Sequence, residues 1–267
     1  MELGLQGKVV LITGSSKGLG RAMAEEFAAE GCHLALCARG EAGLDDVAKT
    51  LQARHSSKTL LVAANLAELS EVKRLVAKTV AHFGRIDVLV NNAGSITGGS
   101  ITAKPDDELQ RDWALKLYGY VRVSREVFPV MIKQGGGRII NIVGIAGKEP
   151  GGFGALGGNF PSGMANAALL NLTKALAFEG AKHKILVNAV NPGLIRTERT
   201  IAPLRARAAQ LGQDVEELIQ ARAKSQLLGR DGEPSEVAAV AVFLASQRAS
   251  YMTGSVVTVD GGATQGF

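Results

Sequence analysis

Thr13-Gly14-Ser15-Ser16-Lys17-Gly18-Leu19-Gly20 is the stretch from which the rest of the chain can be read. The apolar run Val9-Val10-Leu11-Ile12 leads into it, and an Ala-rich segment from Arg21 to Glu30 leads out and stops at Gly31. The first has the character of a buried strand and the second that of a helix. A strand, a glycine turn and a helix in that order present backbone N–H groups to a phosphate at the helix N-terminus. The glycines serve a tight turn, close approach of the backbone to the phosphate, and close packing of helix on strand. An ordinary βα turn also carries glycines. The flanking strand and helix, in immediate contact with the turn, favour the phosphate reading.

Further apolar segments alternate with helical ones. His33 to Ala38 reads as a second strand, followed by a helix over 41–54; 58–63 is a third, followed by a helix over 68–83. Ile86 to Asn91 is a fourth strand, with helices expected over 106–117 and 121–133 that Gly119 could fuse into one. Arg138 to Val143, Ile185 to Val190 and Ser255 to Val259 complete seven strands, with a long helix over 162–181 between the fifth and sixth. Repeated βα units with continuous apolar strands imply an α/β fold: a doubly wound parallel sheet in three layers, within one domain over 1–267. Gly144 to Asn159 carries seven glycines at the carboxyl end of strand five, where ligands of such sheets bind. Between 195 and 228, Ile201, Leu204, Ala208, Leu211, Val215 and Leu218 make one apolar helical face, a candidate helical lid, with an Asp214/Glu217 capping box.

The net charge of +5, from 30 basic and 25 acidic residues, comes from interleaved signs without an aromatic-rich basic block. Nucleic-acid binding is therefore not expected. No apolar run approaches the ~20 residues of a membrane span, and a strand beginning near Lys8 leaves no room for a signal peptide, so a cytoplasmic protein is expected. Cys32 and Cys37 read as buried thiols, and the four histidines fall outside the strand-end loops, so no metal site is expected.

Four motifs, in order, resemble the short-chain dehydrogenase/reductase (SDR) family over nearly the whole length. They are Thr13-Gly14 with Gly18 and Gly20, Asn91-Asn92-Ala93-Gly94 after strand four, Asn191-Pro192-Gly193 after strand six, and Thr253-Gly254 with Val259-Asp260-Gly261-Gly262 at the end. The resemblance implies a seven-stranded Rossmann sheet, a nicotinamide cofactor, a small-molecule substrate, and assembly as a homotetramer or homodimer. It places the cofactor against Gly14, Ser16, Lys17, Gly18, Leu19 and Gly20, then against Arg39, Asn65 and Leu66. Asn92, Ala93 and Gly94 would line it further, as would Pro192, Gly193 and Ile195, and Thr197 matches a position that bonds the carboxamide. NAD-selective folds carry a carboxylate at the end of strand two, whereas arginine there accommodates a 2′-phosphate. Ala38-Arg39-Gly40 has no acid, and Lys17 adds a second cation, so NADP(H) is favoured over NAD(H).

The family's catalytic group is a Tyr and a Lys four residues apart on the long helix, a Ser after strand five and an Asn on the preceding helix. At those positions this sequence has Ser162, Asn166, Gly144 and Lys116. A positioned acid or base contributes about 10²- to 10⁴-fold, and a serine hydroxyl is too weak an acid to replace a phenol unaided. Three readings stay open. In the first, an oxidoreductase acts on a carbonyl/alcohol or activated C=C substrate, with Lys116 supplying positive charge and Ser162 and Asn166 bonding the substrate. The others are a cofactor-binding regulatory protein and a non-redox lyase or hydratase. Lys116 could equally be a solvated lysine facing a neighbouring subunit. Tyr120, one helical turn beyond, is a candidate phenol donor or a packing residue.

Overall fold

The computed structural model describes residues 2–149, 160–224 and 226–264. Seven parallel strands form one sheet in the order β3-β2-β1-β4-β5-β6-β7. They are β1 (Val9–Thr13), β2 (His33–Ala38), β3 (Thr59–Ala63), β4 (Val88–Asn91), β5 (Gly137–Ile142), β6 (Ile185–Pro192) and β7 (Val256–Val259). The helices between them are α1 (Gly18–Ala29), α2 (Glu41–Arg54), α3 (Leu69–Phe83), α4 (Asp106–Lys133), α5 (Phe160–Ala181), α6 (Glu198–Leu211), α7 (Val215–Ala223) and α8 (Pro234–Ala245). The doubly wound α/β fold is the one expected.

Side chains of a strand alternate between faces, so each central strand feeds two cores. Val10, Ile12, Leu34 and Leu36 join a cluster with Met23 and Phe27 of α1 and Val237 and Ala241 of α8. Leu11, Ala35 and Cys37 join the opposite cluster, with Leu75 of α3 and Val123 and Val127 of α4. Both cysteines are buried and free, and burial pushes both thiols up to about 12, so they stay protonated and inert. The order of strands reverses between β1 and β4, which pair in register from Val10↔Val88 to Ile12↔Val90. The glycine turn after β1 and the Asn-Asn-Ala-Gly segment after β4 therefore meet at the carboxyl edge of the topological switch point, where doubly wound sheets open a crevice for ligand.

Two local expectations change. The helices expected over 106–117 and 121–133 are a single 28-residue helix, α4. Gly119 is buried inside it, the fused alternative, and a Cβ there would make only ordinary contact with Leu66, at 3.5 Å. The segment over 195–228 does form two helices, but only part of its apolar stripe is covered. Of its six residues only Ala208 is buried; Ile201, Leu204, Val215 and Leu218 are half-buried and Leu211 is 54% exposed. Asp214 caps α7 by accepting from the Glu216 N–H at 2.9 Å, one residue short of the expected Glu217 capping box. Most of the glycine-rich stretch expected beside the substrate, residues 150–159, lies outside the described residues. Among the described residues no helix is long and apolar enough to cross a membrane.

Candidate active site

The turn after β1 is held from three sides. Gly14 takes φ +69°, and a Cβ there would sit 2.9 Å from Ala93 Cα. The Thr13 hydroxyl accepts from the N–H groups of Asn92 at 2.9 Å and Ala93 at 3.1 Å. Asn92 in turn donates its amide to the carbonyls of Thr13 and Gly14, at 2.9 and 3.1 Å. Ser15 is tied to the end of β2 through its N–H and hydroxyl, which both donate to the Cys37 carbonyl, at 3.0 and 3.3 Å. These bonds fix the turn that leads into the N-terminus of α1.

Across the crevice stands the entry to α6. A Cβ on Gly18 would be 3.6 Å from the Thr197 side chain, so the glycine turn and Thr197 form opposite lips. Thr197 and Thr200 close a capping box that fixes that lip. Gly193 is anchored by its N–H to the Val259 carbonyl at 2.9 Å, and a Cβ on it would meet Asp260 at 2.5 Å. Arg39, at the end of β2, is exposed and pairs with no described carboxylate, and Lys17 is exposed in the turn. Ser16 and Leu19 are half-buried in the same turn. Asn65 folds its carboxamide back onto the Ala67 N–H at 3.2 Å. Leu66 and Ile195 turn their side chains away from the crevice, so any contact they make with a cofactor is through their backbone. Both are buried in the core, Leu66 against Gly119 and Ile195 against Gly232. The cradle is thus made of backbone and small residues with exposed cations at Lys17 and Arg39, which fits a nicotinamide dinucleotide.

Beyond the cradle, Lys116 is only 9% exposed. Its stem packs on Gly94, where a Cβ would lie 2.3 Å from Lys116 Cδ. Nζ donates to the carbonyls of Ile142 at 2.8 Å and Val143 at 3.3 Å and to the Tyr120 hydroxyl at 3.0 Å. Tyr120, fully buried, donates its own proton to the Ile142 carbonyl at 2.7 Å. Burial pushes the Lys116 amine down to about 7, and the Arg199 guanidinium adds to the effect. Burial likewise pushes the Tyr120 phenol well up, so it remains protonated. The solvated lysine facing a neighbouring subunit is therefore excluded: Lys116 is inside, because α4 runs past the end of β5 and Gly94 leaves room for its stem. Tyr120 is a packing residue that also orients Lys116.

Ser162 and Asn166 sit one turn apart on α5, and the Asn166 amide donates to the Ser162 hydroxyl at 3.5 Å. Trp113 of α4 donates its indole N–H to the Pro161 carbonyl at 3.1 Å, tying this turn to the helix that carries Lys116. Asn166 is 3% exposed, and its Oδ1 has no partner among the described residues. A buried carbonyl oxygen without a donor costs free energy, and a ligand hydroxyl would satisfy it. Gly144 adopts φ +125°, and a Cβ there would meet Asn166 Nδ2 at 3.0 Å, so the turn is shaped for glycine. Its N–H donates to Asn191 Oδ1 at 3.1 Å, joining the ends of β5 and β6.

The sequence matches the enoyl-(acyl carrier protein) reductase family over residues 14–264. The 3-oxoacyl-[acyl-carrier-protein] reductase FabG of Thermotoga maritima is 37% identical over 266 residues, 97% of this chain and 98% of that relative. The chain belongs to the short-chain dehydrogenase/reductase family. Among solved SDR structures, L-sorbose reductase from Gluconobacter frateurii, complexed with NADPH and L-sorbose, superposes with a TM-score of 0.95 at 36% identity, covering 100% of both chains. YwfH, an NADPH-dependent reductase involved in bacilysin biosynthesis, matches with a TM-score of 0.90 at 28% identity, covering 98% of this chain and 100% of that one.

Two features of this SDR site were not read from its sequence. One is a buried polar ladder: Asn91 donates to Ser124 and to Asn141, both at 3.0 Å, and Asn141 donates to Thr173 at 2.9 Å, linking β4, β5, α4 and α5 behind the site. Asparagines inside otherwise apolar strands were its only signal. The other is Arg199. It reaches from α6 to the carbonyls of Gly94 and Ile96, and no local pattern marks it. Among the described residues no group of three or more His, Cys, Asp or Glu side chains could hold a metal ion.

Proposed function

We propose that the chain is an NADP(H)-dependent oxidoreductase that acts on a small carbonyl/alcohol or activated C=C substrate through a rearranged site centred on Lys116. The observation that carries the reading is the buried Lys116 amine at the carboxyl ends of β4 and β5, against Gly94 and brought near neutrality. A group that titrates near the working pH is the one best able to give and take a proton. A bound nicotinamide cofactor supplies the hydride chemistry. The chain's own part is to hold a proton at Lys116 Nζ, to orient that amine through Tyr120, and to bond the substrate through Ser162 and the free Asn166 Oδ1. The NADPH complex of L-sorbose reductase and the NADPH-dependent YwfH support the cofactor, together with the exposed Arg39 and Lys17.

The test is purified protein with NADPH or NADP⁺ across a ketone, enal and alcohol panel, followed at the nicotinamide absorbance band. Turnover on at least one class is expected. Tight cofactor binding with silence across the panel would instead establish a binding or regulatory protein. For cofactor choice, Arg39→Asp removes a cation from the 2′-phosphate and places an acid where a ribose hydroxyl can donate. Its NADP⁺ affinity should fall about 10- to 100-fold relative to NAD⁺, the loss of one charge-assisted contact. Calorimetric titration of both dinucleotides reads this directly, and an unchanged ratio would remove Arg39 from the pocket.

A further inference from the structure

Arg199 leaves the first turn of α6 and crosses to the segment after β4, with Nη1 3.4 Å from the Gly94 carbonyl and Nη2 3.5 Å from that of Ile96. Both contacts lie at the long end of the N–H···O range, so a guanidinium with five N–H groups keeps donors to spare. Nearby acids are engaged elsewhere. Glu198 pairs with Arg205 at 2.7 Å, Glu216 with Arg196 at 3.1 Å and Asp112 with Lys104 at 3.0 Å. The wall beneath is fixed, because Asp112 also accepts from the Thr97 N–H at 3.0 Å and Lys104 donates to the Thr97 carbonyl at 3.2 Å.

Arg199 and Lys116 meet at Gly94, one at its carbonyl and the other against its Cα. Arg199 is the charge felt by both Lys116 and Tyr120, and no described acid is close enough to act on either. Two cations with no ion-pair partner among the described residues thus converge on Gly94, Lys116 buried beneath it and Arg199 exposed above. A planar guanidinium with free donors matches a carboxylate or phosphate in fork geometry, and the uncompensated positive field gathers such anions.

We propose that Arg199 anchors an oxyanion on the substrate, so that the substrate class is a small carbonyl or alcohol compound bearing a carboxylate or a phosphate. The inference deepens the oxidoreductase reading and rests on it for the reacting end of the substrate. The test uses two matched pairs, levulinate against methyl levulinate and glyceraldehyde phosphate against glyceraldehyde. Each compound is assayed for NADPH oxidation and titrated calorimetrically onto the protein–NADP⁺ complex, with wild type, Arg199→Met and Arg199→Lys.

The expected result is a preference of at least about tenfold for the charged member of one pair, the size of one charge-assisted interaction. In Arg199→Met that ratio should collapse to within about twofold, Arg199→Lys should keep part of it, and NADPH affinity should be unmoved. Which pair shows the preference separates carboxylate from phosphate. The proposal is overturned if wild type treats both members of both pairs alike in turnover and in binding. It is equally overturned if the preference survives in Arg199→Met, or if that variant weakens NADPH binding, which would assign the arginine to the cofactor. A charged preference in binding without turnover of any compound keeps the anchor and sinks the oxidoreductase reading.

Discussion

Replacing Lys116 by methionine is expected to lower kcat by about 10²- to 10⁴-fold, the range for loss of a positioned proton donor, and at the same time to raise stability. The two effects have one cause. Lys116 is 9% exposed, no described acid acts on its amine, and burial brings that amine down to about 7. A buried charge held only by two carbonyls and a phenol is costly, so an apolar side chain of similar volume in its place should relieve part of that cost. In Lys116→Met the Ile142 carbonyl keeps its bond from Tyr120, while the Val143 carbonyl loses a donor at 3.3 Å. Thermal unfolding and turnover of the same preparation decide the matter. A variant that keeps kcat within about threefold of wild type, less than any positioned acid contributes, would take Lys116 out of the proton path. It would leave the lysine as a pin for the end of β5.

The same residue gives stability a pH dependence with a definite sign. Unfolded, Lys116 titrates near its ordinary 10.5; folded, it titrates near 7. Between those values the unfolded chain binds more protons than the native one, so stability rises with pH across this window. The slope from this group approaches about 1.4 kcal/mol per pH unit at its steepest. Below pH 7 both states are protonated and the full penalty is present. Tyr120 does not offset this, because burial keeps it protonated throughout. Denaturation of wild type and Lys116→Met between neutral and moderately alkaline pH should therefore converge, with the variant lacking the rise.

The layout of the sheet was legible in the sequence because its strands are buried on both faces and its turns need glycine. Val9 to Ile12 and the turn that follows could hardly be read another way, and of the two readings of α4 the one fused through Gly119 is found. The ends of side chains were less legible. From sequence, Lys116 could have been solvent-facing or buried. What decides it is a distant residue, Gly94, whose missing Cβ admits the lysine stem. Leu66 and Ile195 were expected at the cofactor from their places beside the motifs, and the burial of their side chains leaves only their backbone for that role. Arg199 escaped notice because its importance lies in contacts with residues more than 100 positions away, at Gly94 and Ile96. Only the fold shows that Lys116 and α5 converge on the end of β5.

Gly20→Ala should abolish dinucleotide binding, because a single methyl group there meets backbone. A Cβ on Gly20 would lie 2.1 Å from the Gly14 carbonyl oxygen and 2.7 Å from Asn92 Nδ2. Neither neighbour is the free end of a flexible chain. The Gly14 oxygen belongs to the turn, and Asn92 is committed to the carbonyls of Thr13 and Gly14. To admit the methyl, α1 must move away from β1, and the Asn92 bonds that join the turn to β4 must lengthen or break. Overpacking of this kind costs about 1–3 kcal/mol of stability, while the displaced N–H groups should cost at least about 100-fold in NADPH affinity, or nearly 3 kcal/mol. Gly40→Ala is the matched control. Nothing lies within 4 Å of the Cβ it would add, so its stability should stay within about 0.5 kcal/mol of wild type. Calorimetric NADPH titration and thermal unfolding of the two variants separate a site-specific clash from a general intolerance of alanine. Near-normal NADPH affinity in Gly20→Ala would mean that the turn yields without disturbing its N–H groups, and that the cradle is held more by Thr13 and Asn92 than by close packing of α1.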